Sequence, residues 1–234
     1  MKYIGSSILS VPSWVIPGTY AENLNFLETV KEIDGVELLF FQYNDETKAQ
    51  LDSEWEEIRR YRGRFVFTAH LPDSLHPAHG ELIARLYPLA RHFIVHPSQQ
   101  DPAALARLLS EWTEHFGMSF LAENTQPGLL EALLPHLGAG AGICMDSGHL
   151  LLEEQNPAEF FTHYRERIKE IHLHSADLQQ AALDKKLADH RQLRGNEKWL
   201  LELLPLLKDF EGVINLEVFS WEEARNSISI FTEH

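Results

Sequence analysis

Eight apolar, β-rich runs alternate along the chain with longer stretches of helical periodicity, and this alternation restricts the fold more than any other feature. Helical patterns such as those of residues 103–116, 157–167 and 197–210 lie between the runs. The runs are YIGSSIL, GVELLFF, RFVFTAHL, HFIVHP, SFLAENT, AGICMDSGH, IKEIHLHS and GVINLEVF. Alternating strands and helices are typical of a parallel sheet covered by its crossover helices. Because the runs are too apolar to face water, they predict a single (β/α)8 TIM barrel of parallel strands, with an open doubly wound sheet as the second choice.

The length and composition predict one domain that spans residues 1–234. The chain has 44 % hydrophobic residues, which is enough for one large core. No repeat, low-complexity tract or Gly/Ser linker divides it. The one long connection is formed by residues 176–198, after the seventh predicted strand, and a loop of this length in a compact domain is usually functional or mobile.

The net charge and the lack of long apolar segments limit the partners that the chain can have. The formal net charge of -15 argues against a long nucleic acid, which needs clustered Lys and Arg. No apolar run approaches the roughly 20 residues that cross a bilayer, so we expect no membrane span. The only cysteine, Cys144, cannot form an intramolecular disulfide, and no secretory signal begins the sequence. We therefore expect a cytoplasmic protein with a small-molecule substrate; the sequence does not assign its oligomeric state.

Histidines and carboxylates gather at the carboxyl ends of the predicted strands, where the catalytic groups of a parallel barrel lie. Because successive side chains of a strand point to opposite faces, Phe65 and Phe67 are predicted to point outward and His70 inward. The same alternation predicts that His96 points inward. The residues of this set are His70, His96, Glu123, Asp146, His149, His172, His174 and Glu217. Burying so many polar groups without partners would cost several kcal/mol. We therefore predict that divalent metal ions hold them together.

His172 and His174 stand two residues apart on one face of the seventh strand. This spacing corresponds to roughly 6.5 Å, which is too far for equivalent positions on one ion. We predict that His172 is a metal ligand and that His174 is a neighbouring ligand or a substrate-binding group. Glu37 is also inward but deeper, and it is predicted to be either a buried, hydrogen-bonded carboxylate or a substrate contact.

The whole chain resembles the xylose isomerase-like barrel superfamily, whose branches include endonuclease IV, sugar isomerases and epimerases, and cobamide-remodelling phosphodiesterases. The motifs LAEN, CMDSGH, IHLHS and NLEVF match the metal core of that superfamily in order and spacing. The resemblance implies a metal core of Glu123, Asp146, His172 and Glu217. The endonuclease IV branch implies further ligands at His70, His96, His149 and His190. The segment DHRQLRG contains His190, but two positions before it, where this branch has an Asp, stands Ala188, and Asp189 lies directly beside His190.

The segments SWVIPGTYAENLNFLE, DGVELLFF, HLPD and ARHFIVHP most resemble the cobamide-remodelling phosphodiesterases. This resemblance implies a metal-dependent hydrolase that cleaves a phosphodiester in a small molecule, such as the nucleotide-loop phosphodiester of a cobamide. The histidine-rich set favours two or three zinc ions, with manganese or iron as alternatives. Glu123 and Glu217 are predicted to be catalytic. The predicted substrate-binding residues are His174, Arg194 and Trp14.

Two other functions are compatible with the same residues. In a sugar isomerase or epimerase, Glu123 and Glu217 would pass a proton through an enediolate at one divalent ion held by Asp146 and His172. A non-catalytic barrel that binds only metal or a small ligand is the second alternative, because a fold does not determine a function. A DNA repair nuclease would need a basic surface that the charge of -15 argues against.

Overall fold

The computed structural model describes residues 5–97, 101–138, 141–181 and 183–232. Its strands form a closed barrel in which each strand pairs in parallel with the next and the last pairs with the first. The strands are β1 (Ile8–Pro12), β2 (Gly35–Leu39), β3 (Val66–His70), β4 (Ala90–Val95), β5 (Phe120–Glu123), β6 (Gly142–Asp146), β7 (Ile168–His172) and β8 (Val213–Asn215). The predicted (β/α)8 barrel is confirmed, and the open sheet is wrong.

Helices connect the strands and cover the outside of the barrel. They are α1 (Tyr20–Leu27), α2 (Asp45–Arg60), α3 (Gly80–Leu86), α4 (Pro102–Phe116), α5 (Leu129–Leu133), α6 (Ser147–Leu152), α7 (Pro157–Tyr164), α8 (Leu178–Ala181), α9 (Lys185–Ala188), α10 (Lys198–Leu203) and α11 (Trp221–Thr232). A capping box of Thr19 and Glu22 begins α1, and Gly117 in a left-handed conformation ends α4. None of the helices in the described part of the chain is long and apolar enough to cross a membrane.

Two predicted boundaries differ from the structure. The first strand begins at Ile8 rather than at residue 3, because Gly5 has a φ of 48° that a strand does not allow. Residues 3 and 4 of that prediction lie outside the described residues. The helix predicted over residues 197–210 is α only as far as Leu203 and continues as a 3-10 helix over Leu204–Asp209. Pro205, which has no N–H to donate, lies at this change.

The interior of the barrel has an apolar side and a polar side. Ile94, Leu121 and Cys144 form a small buried cluster on β4, β5 and β6, separate from the main core between strands and helices. The other strands turn polar side chains inward, and all of them are buried: Ser10, Glu37, Thr68, Glu170, His172 and Asn215. Thr68 donates a hydrogen bond of 2.9 Å to Glu170 across the barrel. The polar side lies directly below the carboxyl ends of the strands.

Candidate metal centre

Three carboxylates converge on one imidazole nitrogen at the mouth of the barrel. Nδ1 of His172, at the end of β7, lies 3.1 Å from Oε2 of Glu217, 3.7 Å from Oε1 of Glu123 and 3.9 Å from Oδ2 of Asp146. All four side chains are at least 98 % buried. They are the four residues that the sequence resemblance assigns to the metal core, and the structure brings them together.

This inner quartet (Glu123, Asp146, His172 and Glu217) fits a divalent metal ion. His172 Nδ1 and Glu217 Oε2 are buried and have no hydrogen-bond partner, although they are 3.1 Å apart. Buried polar atoms are normally paired, and carboxylates without a nearby cation are costly to bury. An imidazole nitrogen and carboxylate oxygens are ligands that zinc, manganese and iron accept.

Histidines surround Glu123 on one side of the quartet. His70 Nε2, at the end of β3, lies 3.1 Å from Glu123 Oε2, and His96 Nε2, which follows β4, lies 3.3 Å from the same atom. His149 Nδ1 lies 3.4 Å from Glu123 Oε1. Burial by itself would raise the pKa of Glu123, but the surrounding histidines, His96 and His172 foremost, hold it well below its usual value. Glu123 therefore carries a full negative charge among these rings.

A second group of histidines surrounds Glu217 on the opposite side. His174 Nε2 and His190 Nδ1 each lie 3.7 Å from Glu217 Oε2. Burial would raise the pKa of Glu217, but His172 and His190 lower it to about 2. Because His174 Nε2 is also 3.1 Å from Asp146 Oδ2, the structure places His174 inside the cluster as well as His172.

The two oxygens of Asp146 have separate roles. Oδ1 accepts a hydrogen bond of 2.7 Å from the backbone N–H of His149 and so caps α6, while Oδ2 faces the site. The first turn of α6 then places His149 beside Glu123. A Cβ atom at Gly148 would collide with the ring of His174 and the carboxylate of Asp189. Glycine at this position lets α6 and β7 approach closely enough to share the site.

The long loop supplies an acidic residue that completes the cluster. Ser175 and Arg191 form an antiparallel bridge with hydrogen bonds of 2.7 and 2.9 Å, which joins the end of the long loop to the residues that follow β7. Asp189 Oδ2 lies 3.4 Å from His149 Nε2, and Asp189 Oδ1 lies 3.6 Å from His174 Nδ1. Ala188 is fully buried. Asp189, and not the buried Ala188, therefore brings a carboxylate of this loop to the histidine cluster.

His190 itself has a left-handed backbone, with a φ of 52°. Few residues other than glycine adopt this conformation, and it is found at functional sites where surrounding contacts enforce it. The Nδ1 atom of His190 is hydrogen-bonded to the backbone oxygen of Glu217 at 3.2 Å. The contact fixes the ring over the site.

The remaining predicted substrate-binding residues lie at the edge of this cluster. Trp14 follows β1 and is 40 % exposed. Trp221, the first residue of α11, packs edge-on against Phe26. Arg194 is exposed, and its backbone N–H donates to the carboxylate of Glu197. No hydrogen bond or ion pair among the described residues joins Arg194 or Trp14 to the metal-binding side chains.

Three further residues of the site lie inside the quoted segments LAEN, DGVELLFF and NLEVF, but the sequence pattern predicts no role for them. Asn124 links the ends of β5 and β6, because its side chain accepts from the N–H of Asp146 and donates to the carbonyl of Asp146. Phe41 lies with its ring centre 4.3 Å from that of His70. Phe219 lies 4.7 Å from the ring of His190 and is 40 % exposed. Phe41 and Phe219 give the polar site two apolar edges, which only their proximity in the fold identifies.

We expect the metal-free protein to become less stable as the pH rises from 6.5 to above 9. Burial would lower the pKa of His174, but Asp146, Asp189 and Glu217 raise it to about 9 from an ordinary 6.5. Because the folded pKa is the higher one, the protonated ring stabilises the fold fully below pH 6.5, and this contribution is lost as the pH rises through 9. The melting temperature in a chelator, measured at pH 6 and pH 9.5, checks this.

His174→Gln is the matched variant for that measurement, because it removes the titrating ring. Its melting temperature should decline less steeply over the same pH range than that of the unmodified protein. Equal slopes for the two proteins would contradict the prediction.

Comparisons with known proteins give structural similarity but no sequence match. No family model and no curated protein matches the chain. One similar solved structure is the probable 3-DHS dehydratase AsbF, involved in petrobactin synthesis, from Bacillus anthracis, with a TM-score of 0.64, 14 % identity and coverage of 96 % of this chain and 97 % of that chain. Another is the 3-keto-D-glucoside 4-epimerase YcjR from E. coli, with a TM-score of 0.67, 12 % identity and coverage of 97 % and 98 %. A third is the 3-hexulose-6-phosphate synthase from Salmonella typhimurium, with a TM-score of 0.53, 12 % identity and coverage of 97 % and 99 %.

These similarities establish the TIM-barrel fold. They contradict the main functional prediction. The similar structures are named as a dehydratase, an epimerase and a synthase, two of them with sugar substrates in their names. The prediction of a phosphodiesterase that acts on a cobamide is therefore wrong, and the sugar isomerase or epimerase alternative agrees better with the comparison.

Proposed function

We propose that the protein is a metal-dependent isomerase or epimerase that moves a proton on a small sugar. The observation that carries this proposal is the position of Glu123 and Glu217, which approach the same atom, His172 Nδ1, from β5 and from the end of β8. Two carboxylates that face one position from different strands can act on a substrate carbon from different sides. One carboxylate can then remove a proton and the other can return it, which is the acid–base pattern of such reactions.

The charge state of the two carboxylates suits this role. Burial opposes ionisation of both, yet the neighbouring histidines lower the pKa of Glu217 to about 2 and hold the pKa of Glu123 well below its usual value. Both are therefore ionised at neutral pH, which is the form that binds a cation and that a general base must have. Asp146 and His172 lie between them and would complete the ligand set of the inner quartet.

A divalent ion bound by the inner quartet would polarise the carbonyl and hydroxyl oxygens of the sugar and stabilise the enediolate charge. The mixed nitrogen and oxygen ligands favour zinc, with manganese and iron as alternatives. Two outer groups of possible ligands adjoin the quartet: His70, His96 and Glu123, and His174, His190 and Glu217. Two or three ions per chain thus remain our prediction, and the metal content of protein purified without chelator tests it.

The substrate class follows from the reaction and from the apolar side chains at the edges of the site. The proton that moves must be on a carbon next to a carbonyl, so we propose an aldose, a ketose or a keto-glycoside as substrate. The Phe41 and Phe219 rings beside His70 and His190 provide apolar surfaces for the carbon-bound hydrogens of such a molecule. Small-molecule sites typically combine apolar walls with a few polar groups in this way.

Deuterium exchange tests the proposal directly. The zinc-, manganese- or iron-loaded protein would be incubated in heavy water with a panel of aldoses, ketoses and keto-glycosides, and proton NMR would follow the carbon next to the carbonyl. We expect deuterium incorporation at that carbon and conversion to an isomer or epimer of at least one sugar. Neither exchange nor conversion with a fully metal-loaded protein would overturn the proposal.

A further inference from the structure

Glu37 is a buried carboxylate of the barrel interior, and it contacts His172 of the inner quartet. It lies on β2 and has no exposed surface. Its Oε2 is 2.9 Å from Nε2 of His172, and its Oε1 has no hydrogen-bond partner. We propose that Glu37 is a positioning residue that fixes the ring of His172 with Nδ1 toward the metal. This inference rests on the proposed metal site and deepens it.

The hydrogen-bonding chemistry of the two groups determines which nitrogen faces the metal. An ionised carboxylate can only accept hydrogen bonds, whereas a neutral imidazole has one N–H and one free nitrogen. When a cation binds and the ring is neutral, the contact with Glu37 places the N–H at Nε2 and leaves the lone pair at Nδ1 for the ion. That nitrogen is the one that lies within 3.9 Å of Glu123, Asp146 and Glu217. Glu37 thus selects the form of His172 that can bind a cation.

The rotation of the His172 ring depends on the same contact. If the ring turned over, a carbon would face the three carboxylates, and Nδ1 would lie away from them. The Nε2 contact on the far side of the ring holds it in the productive orientation. Hydrogen bonds of this kind from metal-bound histidines to carboxylates commonly strengthen metal binding by 10- to 100-fold.

Glu170 provides an internal control for this proposal. It is as buried as Glu37, and ligand atoms of Glu37, Glu170 and His172 lie within 4.8 Å of one another. Its hydrogen bond, however, comes from Thr68, at 2.9 Å, and it makes none with His172. If Glu37 acted only by adding a buried polar side chain to the barrel interior, Glu170 would act in the same way.

The experiment compares zinc affinity in Glu37→Ala, Glu37→Gln and Glu170→Gln, by competition with a chelating dye. We expect Glu37→Ala to lose about 10- to 100-fold in affinity. Glu37→Gln should lose less, because its amide oxygen still accepts from Nε2, and Glu170→Gln should stay close to the unmodified protein. In zinc-loaded protein labelled with 15N-histidine, the protonated Nε2 signal of His172 should persist in Glu37→Gln and weaken in Glu37→Ala.

The outcomes separate this inference from the proposed function. Unchanged affinity in Glu37→Ala, or an equal loss in Glu170→Gln, would overturn the positioning role while leaving the metal site in place. Failure of the unmodified protein to bind zinc, manganese or iron would overturn both. If Glu37→Ala does not fold, Glu37→Met, which has a similar size but cannot accept the hydrogen bond as a carboxylate does, decides: a lowered affinity at an unchanged melting temperature supports the role, and an unchanged affinity overturns it.

Discussion

Glu217→Gln is expected to lower kcat for sugar isomerisation or epimerisation by about 10²- to 10⁴-fold, the usual contribution of a general acid or base. The amide keeps the size of the side chain but cannot accept the substrate proton, and it is a poorer ligand for a cation. Because Glu217 Oε2 lies 3.1 Å from His172 Nδ1, the change falls at the centre of the inner quartet. Turnover of the sugar identified by deuterium exchange, measured with saturating metal, checks this prediction.

Two comparisons make the Glu217 result specific. Glu123→Gln should cause a loss of similar size, since Glu123 faces the same nitrogen at 3.7 Å. Glu222→Gln, an exposed position at the start of α11, should keep full activity. Retention of more than a tenth of the activity by Glu217→Gln would show that this carboxylate does not move the proton.

His172→Asn is expected to release the metal and to destabilise the fold at the same time. The substitution removes the nitrogen that three carboxylates face, and it leaves Glu37 without its partner at 2.9 Å. Removing one member of a buried charged pair commonly costs about 3–5 kcal/mol, and we expect a loss of that order in the free energy of unfolding. Metal content by plasma mass spectrometry and urea unfolding measure the two effects.

A second variant separates metal loss from unfolding. Asp146→Asn keeps an oxygen that can cap α6 and leaves the Glu37 contact with His172 intact, so it should weaken metal binding at a small cost in stability. His115→Asn, an exposed position on α4, should change neither quantity. Full metal content in His172→Asn would contradict the assignment of this residue as a ligand.

The reaction type predicted from the sequence, phosphodiester hydrolysis, is wrong for a physical reason. The short segments that resemble cobamide-remodelling phosphodiesterases include strands and strand ends, where barrel packing and metal binding restrict the residues. Those constraints are shared by barrels with different reactions, because the reaction depends on groups that contact the substrate. The motifs at the ends of strands five to eight therefore predicted which side chains meet in space and could not distinguish hydrolysis from proton transfer.

The sequence alone determined the barrel and the meeting of Glu123, Asp146, His172 and Glu217. The alternation of strands and helices implies a parallel sheet, and parallel strands bring all their carboxyl ends to one mouth. Local order along the chain is sufficient for that conclusion. No contact between particular side chains is needed for it.

Only the tertiary structure shows which side chains orient the four residues and which further residues join them at the site. The bond from His172 to Glu37 joins residues 135 positions apart, and it depends on the tilt of β7 and β2 across the closed barrel. Asp189 enters the site because the Ser175–Arg191 bridge folds the long loop back over β7. Such contacts depend on distances across the barrel and on loop geometry, which the spacing of residues along a single strand does not contain.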